Sequence, residues 1–260
     1  MTSIAIGRIM AEVDGEGESI LFVHGLGASS NSFQALLGSL GGFRCIRPDL
    51  PGSARSGLGV ETLSIDIFVD AVCHVAKTLG AVPFHLAGHS MGTLICQHIA
   101  ARMPEAVRSM TLFGPILEPP EAARQRLKDR ARVARQDGMV AVADAVTAVA
   151  ISSASKAANA LAVPFVRESH MRQDPEGFAQ SCEALAEAEA ADLRLVRCPV
   201  LLVTGEEDGV GPPGMAQTIA DRINGARVKV LERCGHWTPV ERPTDCARLL
   251  SEFVRSAGSH

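Results

Sequence analysis

The chain has 260 residues, 47% of them hydrophobic, with 29 acidic against 25 basic side chains and a formal charge of −4. That balance argues against nucleic acid as the main partner. No apolar run reaches the roughly 18 residues of a membrane span, and residues 1–10 lack the charged-then-apolar pattern of a signal peptide.

A chain of this length suits one large α/β domain or a core with an inserted subdomain. It buries about 70–75% of its unfolded surface, enough to fold without staples. Seven cysteines, an odd number with no C-x-x-C pair, indicate neither a disulfide framework nor a zinc site. We expect free thiols in a reducing cytoplasm, packed as small hydrophobes.

Residues 3–13 read as a strand, Asp14-Gly15-Glu16-Gly17 as a turn and residues 19–23 as a second strand, an antiparallel start. The loop His24-Gly25-Leu26-Gly27 follows. Residues 34–40 have helical spacing, 43–47 form a short strand, and 49–57 form a loop with Pro51, Gly52 and Gly57. Residues 63–79 predict an amphipathic helix, and residues 109–113 a strand. Strands alternating with helices imply right-handed crossovers and a mainly parallel sheet.

After Gly114-Pro115 the alternation stops. Residues 118–191 contain helical patterns at 121–136, 139–151 and 176–190, and no good strand. Strand signals resume at 200–204 and 227–231, and a last helix is expected over 243–254. We therefore divide the chain into a core over 1–114, a helical cap over 115–191 and a second core segment over 192–260.

One stretch organises the chemistry. Phe84-His85-Leu86-Ala87-Gly88-His89-Ser90-Met91-Gly92 is an apolar run that ends in G-x-S-x-G and turns into helical periodicity over 93–102. A strand, a sharp turn and a helix with one hydroxyl at the corner is the context a nucleophile elbow needs. The two glycines permit close approach of strand and helix, and the helix start aims free N–H groups at the corner.

A serine hydroxyl is a weak nucleophile without a base, which in turn needs an orienting group. His236, in Arg233-Cys234-Gly235-His236-Trp237, follows the last strand, and Asp208, in Gly205-Glu206-Glu207-Asp208, follows the preceding one. In an open parallel sheet, catalytic groups gather at the carboxyl ends of strands. Glu206 and Glu207 are the alternatives to Asp208, which we prefer because an acid further from the strand end is freer to turn inward. An oxyanion needs two fixed N–H donors. We assign them to Met91, which follows the nucleophile, and to Leu26 of the glycine-flanked loop. Of the remaining histidines, His24 shapes its loop; His85, His98 and His170 read as structural or surface residues. His74, His89 and His260 receive no chemical role.

Together these residues resemble a serine-dependent α/β-hydrolase over nearly the whole chain. The resemblance rests on His24-Gly25, on Asp49 with Gly52 and Ser56, on the elbow with Pro104 closing its helix, and on the pattern from Pro199 through Asp208 to His236. It implies an α/β-hydrolase fold, a Ser90–His236–Asp208 triad and no metal or organic cofactor. Gly52-Ser53-Ala54-Arg55-Ser56 departs from the Gly-His-Gly many relatives carry, which bears on the entrance rather than on the chemistry. The cap is most similar to 3-oxoadipate enol-lactonases and related small-ester hydrolases, through its Arg-rich opening helix, Gln136-Asp137-Gly138-Met139, and Asp174-Pro175 to Leu185 with Cys182.

The expected reaction is hydrolysis of a small ester or lactone through an acyl-enzyme, in a pocket lined by Gly25, Leu26, Met91 and Trp237. The protein would work as a monomer or homodimer. The alternatives are a carbon–carbon bond hydrolase of vinylogous diketones using the same triad, and a catalytically silent binding protein. Arg124, Arg126, Arg130, Arg132 and Arg135 read mostly as a solvated face, from which one can still pair with a substrate carboxylate.

Overall fold

The computed structural model describes residues 1–257; His260 lies outside the described residues. Its centre is an 8-stranded sheet built from β1 (Thr2–Ile6), β2 (Ile9–Asp14), β3 (Glu18–Val23), β4 (Phe43–Pro48), β5 (Phe84–His89), β6 (Val107–Phe113), β7 (Val200–Gly205) and β8 (Arg227–Leu231). The strand order is β1-β2-β4-β3-β5-β6-β7-β8. From β4 through β8 every neighbouring pair is parallel, while β1–β2 and β2–β4 are antiparallel.

The antiparallel start differs from the sequence expectation. Residues 3–13 are not one strand: the chain reverses at Gly7-Arg8, with Gly7 at φ +59. β2 then pairs with β4 rather than with β3. The reason is burial. Residues 20–23 of β3 are buried on both faces, and a strand of that kind belongs between parallel neighbours. It lies between β4 and β5, with Ile20 opposite both Cys45 and His85.

The helices are α1 (Ile65–Thr78), α2 (Met91–Arg102), α3 (Glu121–Asp137), α4 (Met139–Ala150), α5 (Ser153–Ala158), α6 (Ala162–Met171), α7 (Pro175–Ala186), α8 (Pro213–Ala220), α9 (Thr238–Glu241) and α10 (Pro243–Ala257). Local chemistry sets several starts. Ser64 caps α1 by accepting from the N–H of Ile67, and Asp174 caps α7 by accepting from Gly177 with Pro175 at the first position. Residues 30–39 form a 3₁₀ stretch whose early start follows from capping by Ser29. The run predicted to reach 190 ends at Ala186. Helices α5, α6, α8 and α9 were not singled out in the sequence; they are short, and α5 is capped by Ser152, whose side chain accepts from the N–H of Ser155.

α3 to α7 all fall between β6 and β7, so the sheet is interrupted once by a purely helical block. Among the described residues no helix is long and apolar enough to cross a membrane.

Candidate active site

β5, buried along its whole length, delivers Ser90 to the carboxyl edge of the sheet. Ser90 adopts φ 53 and ψ −122, a conformation a non-glycine residue rarely takes, and its N–H donates to the carbonyl of Phe113 at 3.0 Å. A Cβ on Gly92 would sit 2.0 Å from the carbonyl oxygen of Val23, so only glycine lets α2 come this close to β3. Serine at a helix start ordinarily caps it, yet α2 has no side-chain cap. The Ser90 hydroxyl instead donates to Nε2 of His236 at 2.7 Å.

Asp208 fixes the other side of that imidazole. Nδ1–H of His236 donates to both carboxylate oxygens, at 2.9 and 3.0 Å, which leaves Nε2 as the acceptor facing Ser90. Asp208 also accepts the N–H groups of Val210 and Gly211, each at 2.8 Å. Burial alone would push its carboxyl up. The facing His236 imidazole and these hydrogen bonds outweigh burial and hold it below the usual value. Glu206 and Glu207 point elsewhere, accepting from the N–H groups of Arg233 and Ser153.

The loop carrying His236 is tied down by a residue the sequence did not single out. Glu241, 5% exposed, accepts the N–H of Gly235, of Trp237 and of Ser152 at 2.9, 3.0 and 2.9 Å. The first two flank the histidine; the third belongs to the corner between α4 and α5. An acid following a histidine loop by one helical turn is the only sequence signal for it. His89 adds a second tie, its Nε2–H donating to the carbonyl of His236 at 3.0 Å. Burial, then the neighbouring His236, push the pKa of His89 down to about 3, so its ring is neutral.

Leu26 and Met91 carry N–H groups that make no hydrogen bond among the described residues. Their loops meet at the serine: a Cβ on Gly25 would lie 2.9 Å from Cβ of Ser90. His24 shapes this loop, with Nδ1–H donating to the carbonyl of Gly25 at 2.8 Å and Nε2 accepting from the N–H of Leu50 at 2.9 Å. Trp237 is 3% exposed, its ring centroid 5.0 Å from His89 and 5.7 Å from His170.

Of the five arginines on α3, Arg124 donates to the carbonyls of Ala186 and Ala188, Arg132 pairs with Asp129, and Arg135 with Glu176 and Glu183. Arg126 and Arg130 form no ion pair among the described residues. There too, no cluster of His, Cys, Asp and Glu is arranged to hold a metal ion.

A mainly parallel sheet with a serine after β5, a carboxylate after β7 and an imidazole after β8, joined by hydrogen bonds, defines a class. The alpha/beta hydrolase fold family model matches residues 18–243, and the chain belongs to that family. It is similar to the 2-hydroxymuconate semialdehyde hydrolase of Pseudomonas sp. strain CF600, 28% identical over 263 residues, covering 94% of this chain and 89% of that one. Two solved structures share the fold. The thermophilic esterase of Thermogutta terrifontis has a TM-score of 0.91 at 22% identity, over 99% of both chains. The enol-lactonase of Burkholderia xenovorans LB400 has 0.89 at 24% identity, over 98% of this chain and 100% of that one.

Proposed function

We propose that the protein is a serine hydrolase of small carboxylic esters or lactones. The observation that carries this reading is the continuous array Ser90 Oγ–His236–Asp208 at a strained corner, with hydrogen bonds of 2.7 and 2.9 Å. Ser90 Oγ attacks the carbonyl carbon while its proton passes to Nε2 of His236. The N–H groups of Leu26 and Met91 hold the oxyanion. His236 then protonates the departing alcohol or enol oxygen. A water deprotonated by the same nitrogen attacks the acyl carbon, and as the acyl carbon–Oγ bond breaks that proton returns from Nε2 to Ser90 Oγ. Asp208 holds the imidazole in the required tautomer throughout.

Residues 115–191 act as the cap, and Gly25, Leu26, Met91 and Trp237 border the substrate. The similarity to an esterase and an enol-lactonase supports this choice of substrate class. The hydrolase of 2-hydroxymuconate semialdehyde keeps carbon–carbon cleavage as the second reading. The seven free cysteines are in keeping with a cytoplasmic enzyme, acting as monomer or homodimer.

Release of nitrophenolate from p-nitrophenyl acetate and butyrate, with Ser90→Ala as control, tests the proposal. Turnover that falls by several orders of magnitude in the control supports it; equal rates overturn it.

A further inference from the structure

The end of α6 closes on the loop that carries Leu26. The hydroxyl of Ser169 donates to the carbonyl of Gly27 at 2.9 Å. Gln173, two residues beyond the helix, directs its amide N–H groups at the carbonyls of Ser169, Ala28 and Gly27, at 2.7, 3.2 and 3.4 Å. Its Oε1 accepts the N–H of Ala54 at 2.9 Å, in the loop after β4. Both side chains are 5% exposed. One glutamine thus joins the helical block to the loop after β3 and the loop after β4, both of which lie more than a hundred residues before it.

These bonds reach Leu26 through two peptide planes. In a trans peptide the N–H points opposite to the preceding carbonyl, so fixing one fixes the other. Holding the Gly27 carbonyl therefore aims the N–H of Ala28, which donates to the carbonyl of Gly25 at 3.2 Å. The Gly25 carbonyl, held from the other side by His24, in turn sets the direction of the Leu26 N–H. The Leu26–Gly27 peptide lies between the two planes, and Gly27, at φ +69, is one of the two hinges that join it to them. The His170 ring blocks one side of it: a Cβ there would lie 2.3 Å from that ring.

We propose that Gln173 and Ser169 are positioning residues that aim the Leu26 N–H, so that the helical block completes the oxyanion hole. The inference rests on the acyl-transfer reading above. Oxyanion contacts are made in the transition state and not in the ground state, so their loss lowers kcat and leaves KM alone. A misaimed donor costs less than a deleted one, which removes on the order of a hundredfold or more.

The test compares Gln173→Met, which keeps the shape and removes the donors, with Ser169→Ala and with Gln180→Met as a control elsewhere on the block. On p-nitrophenyl butyrate, kcat should fall about tenfold in Gln173→Met and less in Ser169→Ala, with KM within twofold. The control should match the parent protein. The backbone ¹⁵N–¹H resonances of Leu26 and Gly27 should shift in the first two proteins and not in the third. Unchanged kcat, or unmoved Leu26 resonances, overturns the assignment. If the parent protein shows no Ser90-dependent turnover, the ester reading has failed on its own, and the Leu26 resonance still decides the positioning.

Discussion

The backbone N–H of His236 donates to the carbonyl of Ala150 at 3.0 Å, joining the proposed general base directly to the end of α4. The same corner supplies the Ser152 N–H to Glu241 and the Ser152 hydroxyl to the carbonyl of Arg233 at 3.2 Å. The helical block therefore grips the histidine loop with one end and the Leu26 loop with another.

Glu241 should be a large contributor to stability. It satisfies three buried N–H groups, and an amide in its place turns a donor toward at least one of them. Hydrogen bonds to a charged acceptor are worth about 1.5–3 kcal/mol each. Glu241→Gln should cost on the order of 3 kcal/mol in urea unfolding and lower kcat of the folded fraction. A change below about 0.5 kcal/mol would show that the loop holds itself.

Gly27→Ala should be destabilising for two separable reasons. Positive φ costs a side chain about 1 kcal/mol, and the added methyl strikes the His170 ring, a clash of order 1–3 kcal/mol. In a His170→Ala background only the first cost should remain. A double-mutant cycle by chemical unfolding reads the difference as coupling energy. Simple additivity would mean that the ring moves aside freely.

The elbow and the strand-end residues were legible because each has a local signature: Gly88 and Gly92 around Ser90, and a strand ending just before Asp208 and His236. Asp208 was separable from Glu206 and Glu207 only by its distance from the strand end. What was not legible is what depends on tertiary pairing. The displacement of β2 from β3 by β4, and the reach of Gln173 and Ser169 to Gly27, join positions far apart in the chain and leave no local periodicity. Glu241 was hidden for a different reason, because a buried acid and a solvated one look alike in sequence.

Stability should decline as the pH falls from about 6.5. Burial pushes His89 down to about 3 and His170 to about 4, each from an ordinary value of 6.5. Between those values the unfolded chain binds protons that the folded one does not, so acid favours unfolding. Asp208, held below its ordinary 3.8, adds to this only at still lower pH, as it is forced to protonate. Melting temperatures between pH 7.5 and 4.5 should therefore fall steadily, and His170→Phe should flatten the slope. A level profile down to pH 4.5 would contradict the burial of both rings.

Asp208→Asn should be severe and Glu207→Gln should not. Asp208 is the only one of the three neighbouring acids that meets His236, and it presents both oxygens to Nδ1–H. An asparagine there can turn its amide toward Nδ1 and stabilise the tautomer with the proton on Nε2, which cannot accept the serine proton. The loss expected for that exchange is on the order of 10⁴ in kcat. Glu207 meets only the N–H of Ser153 at the exposed edge, so its amide variant should stay within about twofold. Steady-state kinetics on one p-nitrophenyl ester compares the two variants directly. A greater loss in Glu207→Gln would mean that the orienting acid is Glu207, and that the loop after β7 rearranges when substrate binds.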